Sequence, residues 1–188
     1  MFNFMKFRTA TITVAATLLV AGIQAAPAAA DAVDVPGTVY VCDGQYLSSL
    51  GPDGTPLPKI EITRMTQSIQ AICDGPAVES GPNQKRGPVT NTTTGSNGQV
   101  TAYITSRPGV MTISGYAVGV NGAGAHELQC IYRQTGAWQS CGYGTGTTSI
   151  TTSSVTFCPV PGLLFTASVT LYIGGVAKVT DTQGKYSL

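Results

Sequence analysis

The chain has 188 residues, of which only 10% are charged, and it holds 23 Gly and 11 Pro. Ten Lys and Arg nearly cancel nine Asp and Glu. No basic stripe or run is present, which excludes the electrostatic footprint of a nucleic-acid binder or of a protein held to an anionic membrane. Thr, Ser, Gly and Val take the place of charge, as in β-rich exported proteins with hydroxyl-covered faces.

Residues 1–30 read as a secretory signal peptide. "MFNFMKFRTA" supplies Lys6 and Arg8 without an acid, "ATITVAATLLVAGIQAA" is apolar and uncharged, and "PAAADAVD" offers a small-residue exit with cleavage after Ala30. The alternative is an uncleaved anchor, for which the apolar run is marginal against a span of ~20 residues. The absence of an Arg pair points to the general secretory route. Residues 31–188 then form the mature part, with eight Lys and Arg against nine Asp and Glu once Lys6 and Arg8 are removed. Their length suits one domain; an alternative division gives an Ig-like 31–122 and a hairpin region 123–188. The expected location is secreted, with no membrane contact after cleavage.

The strand signals are short alternating runs between Gly and Pro. "GTVYVC" (37–42) places Val39 and Val41 on one face, and "GQVTAYIT" (98–105) does the same with Val100, Ala102 and Ile104. "GVMTISGYAVGV" (109–120), "ELQCIYRQ" (127–134), "AWQSCGY" (137–143), "SITTSSVTF" (149–157) and "LLFTASVTLYIGG" (163–175) continue the pattern. "AKVTDTQGKYSL" reads as a closing hairpin through Gln183-Gly184. Segment 59–73, "KIEITRMTQSIQAIC", fits either a helical face (Ile62, Met65, Ile69, Ile72) or a strand face. Its Ile and Thr content and its lack of a capping box predict one long or bent strand. Residues 79–98 read as a long polar loop carrying the glycosylation sequon Asn91-Thr92-Thr93. The whole is an all-β, disulfide-bonded sandwich, the alternative being a barrel or two small β units.

"CDG" occurs at Cys42 and again at Cys73, each time followed by a later Gly-Pro. No C-x₂-C pair or alternating carboxylate loop accompanies either copy, so no metal or cofactor is expected. The repeat reads as a strand end plus turn used twice. If the two copies are neighbours, Cys42–Cys73 is a natural bridge. With five Cys, two bridges can be arranged in fifteen ways. Cys130 and Cys141 are equidistant from Thr135-Gly136, so a hairpin with loop 134–137 sets them opposite each other. The rival pairing is Cys141–Cys158. Under the first pairing Cys158 is the odd thiol, read as buried and inert, or as an intermolecular link.

His126 is the only imidazole, and a hydrolase would have to centre on it. The carboxylates show no grouping. In the hairpin, Arg133 and Trp138 also lie opposite each other, with Tyr132 on the alternate face and Tyr143 beyond Cys141. Trp138 is read either as a core anchor or, with its neighbours, as an aromatic platform for a sugar ring or a partner chain.

"TVYVCDG", "SIQAICDG" and the later "ISGYAVGV" resemble small secreted Ig-like β-domains of actinobacteria, over residues 37–120. The resemblance implies an Ig-like sandwich with Cys42 and Cys73 paired, and no activity. The leading expectation is a non-catalytic exported protein, with a protein or polysaccharide partner, in a binding or structural role at the cell envelope or in the medium. The alternatives are a secreted hydrolase using His126 and a protease inhibitor presenting the disulfide-braced loop 134–137.

Overall fold

In the computed structural model, residues 37–42, 44–74 and 92–188 are described. The signal-like segment, Asn91 and most of 79–98 lie outside them. Two strands open the described part, β1 (Thr38–Cys42) and β2 (Gln45–Ser48), followed by one helix, α1 (Lys59–Asp74). Next come β3 (Thr93–Gly95), β4 (Gly98–Arg107), β5 (Val110–Val118), β6 (His126–Arg133) and β7 (Gln139–Gly146). The chain ends with β8 (Ser149–Thr151), β9 (Val155–Phe157), β10 (Leu164–Ile173) and β11 (Val176–Tyr186).

Burial alternates with period two along β4 and β5, and antiparallel pairing sorts the later strands into two sheets. One has the order β11-β10-β6-β7; the other has the order β3-β4-β5-β8, with β9 also on β5. Val100, Ala102 and Ile104 of β4 and Met111, Ile113 and Ala117 of β5 face inward. They meet Leu128 and Cys130 of β6 and Ala167, Val169 and Leu171 of β10 in one apolar core. The fold is therefore mostly β and sandwich-like, as expected. The described residues form one compact unit.

Close approach between the sheets is set by glycine. A Cβ built on Gly115 would lie 2.8 Å from Val169 Cγ1 and 3.2 Å from Thr152 Cγ2. At the same level, β8 and β9 share one edge of β5 and leave a gap between them. Thr152 fills it: its N–H donates to Gly115 O (3.0 Å) and its hydroxyl accepts from Gly115 N–H (2.8 Å). The run "SITTSSVTF" is thus two short strands rather than one. At the other side, Asp181 of β11 accepts from the Ala102 N–H of β4 (2.7 Å) and from the Thr93 hydroxyl (2.9 Å). A buried carboxylate thereby completes the β4 ladder where β3 ends.

Two elements depart from the sequence expectation. Residues 59–73 are helix, not strand. Met65 and Ile69 are buried and Ile62 and Ile72 half-buried, all on one side, and this 3.6-residue period outweighs the β-branched content. The Thr hydroxyls that argue against a helix are absorbed within it: Thr63 donates to Lys59 O and Thr66 to Ile62 O, each at 2.9 Å. Pro58 holds the capping position, where its carbonyl accepts the Ile62 N–H, so the usual hydroxyl or carboxylate signal is missing. The second departure is the expected closing hairpin. Gln183 and Gly184 lie inside β11, opposite Ala167 and Thr166, and the turn is Gly174-Gly175.

The helix and the β1-β2 hairpin cover the outer side of the four-stranded sheet, around a second core of Leu47, Met65, Ile69, Ile131 and Trp138. Cys42 and Cys73 are bonded, with Cα atoms 6.7 Å apart. The "CDG" repeat is therefore not one device used twice: Cys42 closes a strand before a turn at Gly44, whereas Cys73 sits in the last turn of α1. On the chain-entropy model, closing a loop of about 31 residues stabilises by ~3.5–4 kcal/mol.

Gly115→Ala is expected to lower stability by about 1–3 kcal/mol, the typical cost of overpacking, read from the midpoint of urea unfolding. Where space exists, Gly→Ala raises stability through the unfolded state, so a raised midpoint would contradict this close approach.

Candidate functional site

Cys130 and Cys141 are bonded across β6 and β7, with Cα atoms 5.1 Å apart. The loop 134–137 separates the strands as expected, but a bulge sets Gly142, not Cys141, opposite Cys130. The bulge frees main-chain groups that buried side chains then satisfy. Gln129 Nε2 donates to Cys130 O (2.9 Å) and Gly142 O (3.1 Å), and the Gly142 N–H donates to Ser140 Oγ (3.0 Å). Cys158 is a free thiol and is exposed, correcting the expectation of a buried one. It takes no part in the rival Cys141 bridge.

Trp138, Arg133, Tyr132 and Tyr143 do not form the expected binding face. Trp138 is 1% exposed and belongs to the second core. Arg133 does lie over the indole, 4.6 Å from its ring. Both then donate to Gln45 Oε1, from Arg133 Nη1 at 2.7 Å and from Trp138 Nε1 at 3.0 Å. The reason is β2, which sequence reading passed over: Ser48 N–H donates to Trp138 O and Trp138 N–H to Tyr46 O, each at 2.8 Å. Tyr132 points the other way, into the inter-sheet core, where it stacks on Phe157. Burial raises the pKa of its phenol. Tyr143 is half-buried, its phenol pKa raised by burial and by the Glu127 carboxylate.

His126 is not disposed as a general base. Its Nδ1 lies 2.7 Å from Thr147 O and its Nε2 2.9 Å from Gly122 O, so each ring nitrogen faces a loop carbonyl and the neutral ring donates to one of the two. The titratable groups that do gather lie beneath α1. Arg64 pairs with Glu127 at 2.5 Å, its charge reinforced by that hydrogen bond, and sits 5.1 Å from the Tyr172 ring. Tyr172 donates to Arg64 O (3.0 Å) and shares a hydrogen bond with Ser68 (2.6 Å). Glu61 accepts from Ser140. These contacts tie the helix to the sheet and engage each polar group with protein. Asp53, Asp74 and Asp181 likewise accept from Thr55, Gln70 and Ala102, so each described carboxylate already has a protein donor.

The surface of the five-stranded sheet that faces away from the core is different in kind. Its outward positions alternate with the buried ones and carry Gln99, Thr101, Tyr103, Thr105 and Arg107 on β4, and Val110, Thr112, Ser114, Tyr116 and Val118 on β5. Of the ten, Arg107 is the one that is charged. Thr105 is opposite Thr112, and Thr101 is opposite Tyr116, which is opposite Thr151 of β8. Hydroxyls link neighbouring strands: Thr92 with Thr101 at 2.9 Å and Thr112 with Thr156 at 3.1 Å. Tyr103 and Tyr116 are 40% and 43% exposed and diagonal across the β4-β5 pair. Arg107 stands at the turn end, beside Val110. This face is the candidate site. The uncharged outward positions of "GQVTAYIT" and "VMTISGYAV" carried its signal in the sequence, but only the register shows that the two rows adjoin.

Comparisons with protein-family models, with curated proteins and with solved structures returned no match.

Burial pushes the Tyr172 pKa up to about 12 from an ordinary 10, against the lowering effects of Ser68 and Arg64. The folded state then holds this proton more tightly than the unfolded chain. Its contribution is fully present below pH 10 and is lost as pH rises toward 12, a total of ~3 kcal/mol at about 1.4 kcal/mol per unit. Tyr172→Phe is expected to flatten stability against pH in that window, measured by urea unfolding from pH 8 to 12. An unchanged alkaline slope would contradict the assignment.

Proposed function

We propose that this chain is an exported, non-catalytic binding protein that presents the outer face of its five-stranded sheet at the cell envelope or in the medium. The observation that carries the reading is the face itself: ten outward positions on two adjacent strands with a single charge, Arg107 at the turn end, and two tyrosines exposed among them. Protein surfaces ordinarily interleave charges of both signs. A face with one charge, confined to its turn end, and otherwise rich in hydroxyls, on a scaffold closed by two disulfides, suits contact with an uncharged partner. Disulfides persist in oxidising compartments, which supports export. No helix among the described residues is long and apolar enough to cross a membrane.

We further read the sandwich as Ig-like, with residues 98–186 as the unit. The strand order supports this. β4 and β5 pair, β6 and β7 pair in the other sheet, β8 returns to β5, and β10 and β11 return to β6. On that reading β4, β5 and β8 take the A, B and E places and β7, β6, β10 and β11 the C′, C, F and G places. The Gly115–Val169 contact then joins the B and F strands, the two that an inter-sheet bridge joins in antibody domains. An experimental structure in which β8 left β5, or β10 left β6, would rule this out.

The binding reading is tested with insoluble envelope material from producing cells. The protein is expected to co-sediment with it, and Thr101→Lys/Ser114→Lys, folded by circular dichroism, to co-sediment at least tenfold less. Equal sedimentation of the charged variant, or none by the wild type, would overturn the reading.

A further inference from the structure

The same face carries enough chemistry to name the class of its partner, an inference that rests on the binding reading above. An anionic glycan, a nucleic acid or an acidic lipid surface is held mainly by Lys and Arg, and among the described residues of β4 and β5 the face offers Arg107 alone, at its turn end. A protein partner is held by a desolvated apolar centre with Trp, Tyr or Arg anchors. Here the centre is Thr101, Ser114 and their hydroxyl neighbours, and the two aliphatic groups, Val110 and Val118, stand at opposite ends of β5.

What remains is a ligand that is itself uncharged, flat and rich in hydroxyls. Each Thr or Ser hydroxyl is both donor and acceptor, as each sugar hydroxyl is. Outward side chains repeat about 4.8 Å apart across strands and roughly 6.7 Å apart along them, so the face presents such groups as a grid. The cross-strand pair Thr105–Thr112 and the Thr112–Thr156 hydrogen bond form one row of it. Two rows away, Thr92, Thr101 and Thr151 flank Tyr116. Tyr103 and Tyr116, as diagonal neighbours, stand about 7–8 Å apart, with their Cβ atoms somewhat closer. Each supplies a flat apolar ring with a polar tip, and a pyranose has the complementary form: an apolar C–H face with hydroxyls at its rim.

We propose that the partner is a neutral polysaccharide chain lying across β4 and β5, with sugar rings stacked on Tyr103 and Tyr116 and its hydroxyls bonded to the surrounding threonines and serines.

The experiment is native affinity electrophoresis of the secreted protein in gels containing mixed-linkage β-glucan, galactomannan or alginate, with sedimentation on microcrystalline cellulose and chitin alongside. Retardation or co-sedimentation is expected with at least one neutral polymer, with little change in 1 M NaCl. Tyr103→Ala and Tyr116→Ala are each expected to weaken it roughly tenfold, as for interface aromatics, and Tyr103→Phe to retain it. Tyr186→Ala, which removes an exposed ring outside the grid, should leave it unchanged. Salt-sensitive binding to alginate alone would overturn the proposal, as would binding indifferent to both tyrosines. If no polysaccharide is bound while envelope co-sedimentation still depends on Thr101 and Ser114, the polysaccharide assignment falls and the binding face stands. Loss of both would remove the face as a site.

Discussion

The contact between Gly115 and Val169 is the constraint on which the rest of the structure turns. At that point the two sheets come within side-chain contact of bare backbone. Val169 is wholly buried there, and interiors at this density do not accept an added carbon without strain. The same closeness forces the strand on the far edge of β5 to break into β8 and β9 so that Thr152 can turn inward and serve the Gly115 peptide. At the corner where β7 passes to β8, Gly144 meets Thr151 O at a distance that no Cβ could occupy. With its interior filled to this extent, the sandwich leaves its two outer sides to be covered or exposed.

One side is covered. The four-stranded sheet carries Glu127, Gln129, Ile131 and Tyr172 outward, a mixture that water alone would not keep buried. Helix α1 and the β1-β2 hairpin cover it with an apolar patch around Trp138 and a ring of hydrogen bonds from Glu61, Arg64 and Ser68. Breaking a buried pair such as Arg64–Glu127 costs more than the pair contributes relative to an apolar substitute. These groups therefore fix how the helix sits on the sheet more than they add net stability. The Cys42–Cys73 bond fastens the end of that layer. The other side, the face of β4 and β5, carries hydroxyls and two phenols, and there the chemistry is directed outward.

Strands β4 and β5 were legible because each buries one face, so alternation carries them; β6, β7 and β10 were legible from Gly punctuation and their β-branched and aromatic content, since β6 and β10 are buried on both faces. The hairpin bond Cys130–Cys141 followed from equal spacing about Thr135-Gly136. Helix α1 was not legible, because Ile and Thr speak for strand locally and only the layer beneath reveals which period is used. Trp138 illustrates the same limit: its partner Arg133 could be named from the hairpin, but its burial depends on β2, four residues long and about 90 positions away. The Gln183-Gly184 pair resembles a turn and lies mid-strand, because β10 continues past it and supplies partners for both residues. The candidate face was written in the sequence as uncharged outward positions. It became a surface only when the β4-β5 register put Thr101 beside Tyr116 and Thr105 beside Thr112.

The central claim is that ligand contact is confined to the hydroxyl face of β4 and β5. Backbone amide shifts followed by NMR during titration with a soluble cello-oligosaccharide or mannooligosaccharide test it most directly. The account predicts saturable shifts at Thr101, Tyr103, Ser114 and Tyr116 and their strand neighbours, with α1 unmoved. Shifts centred on α1, His126 or the 134–137 loop, or no shift with any neutral oligosaccharide, would contradict it.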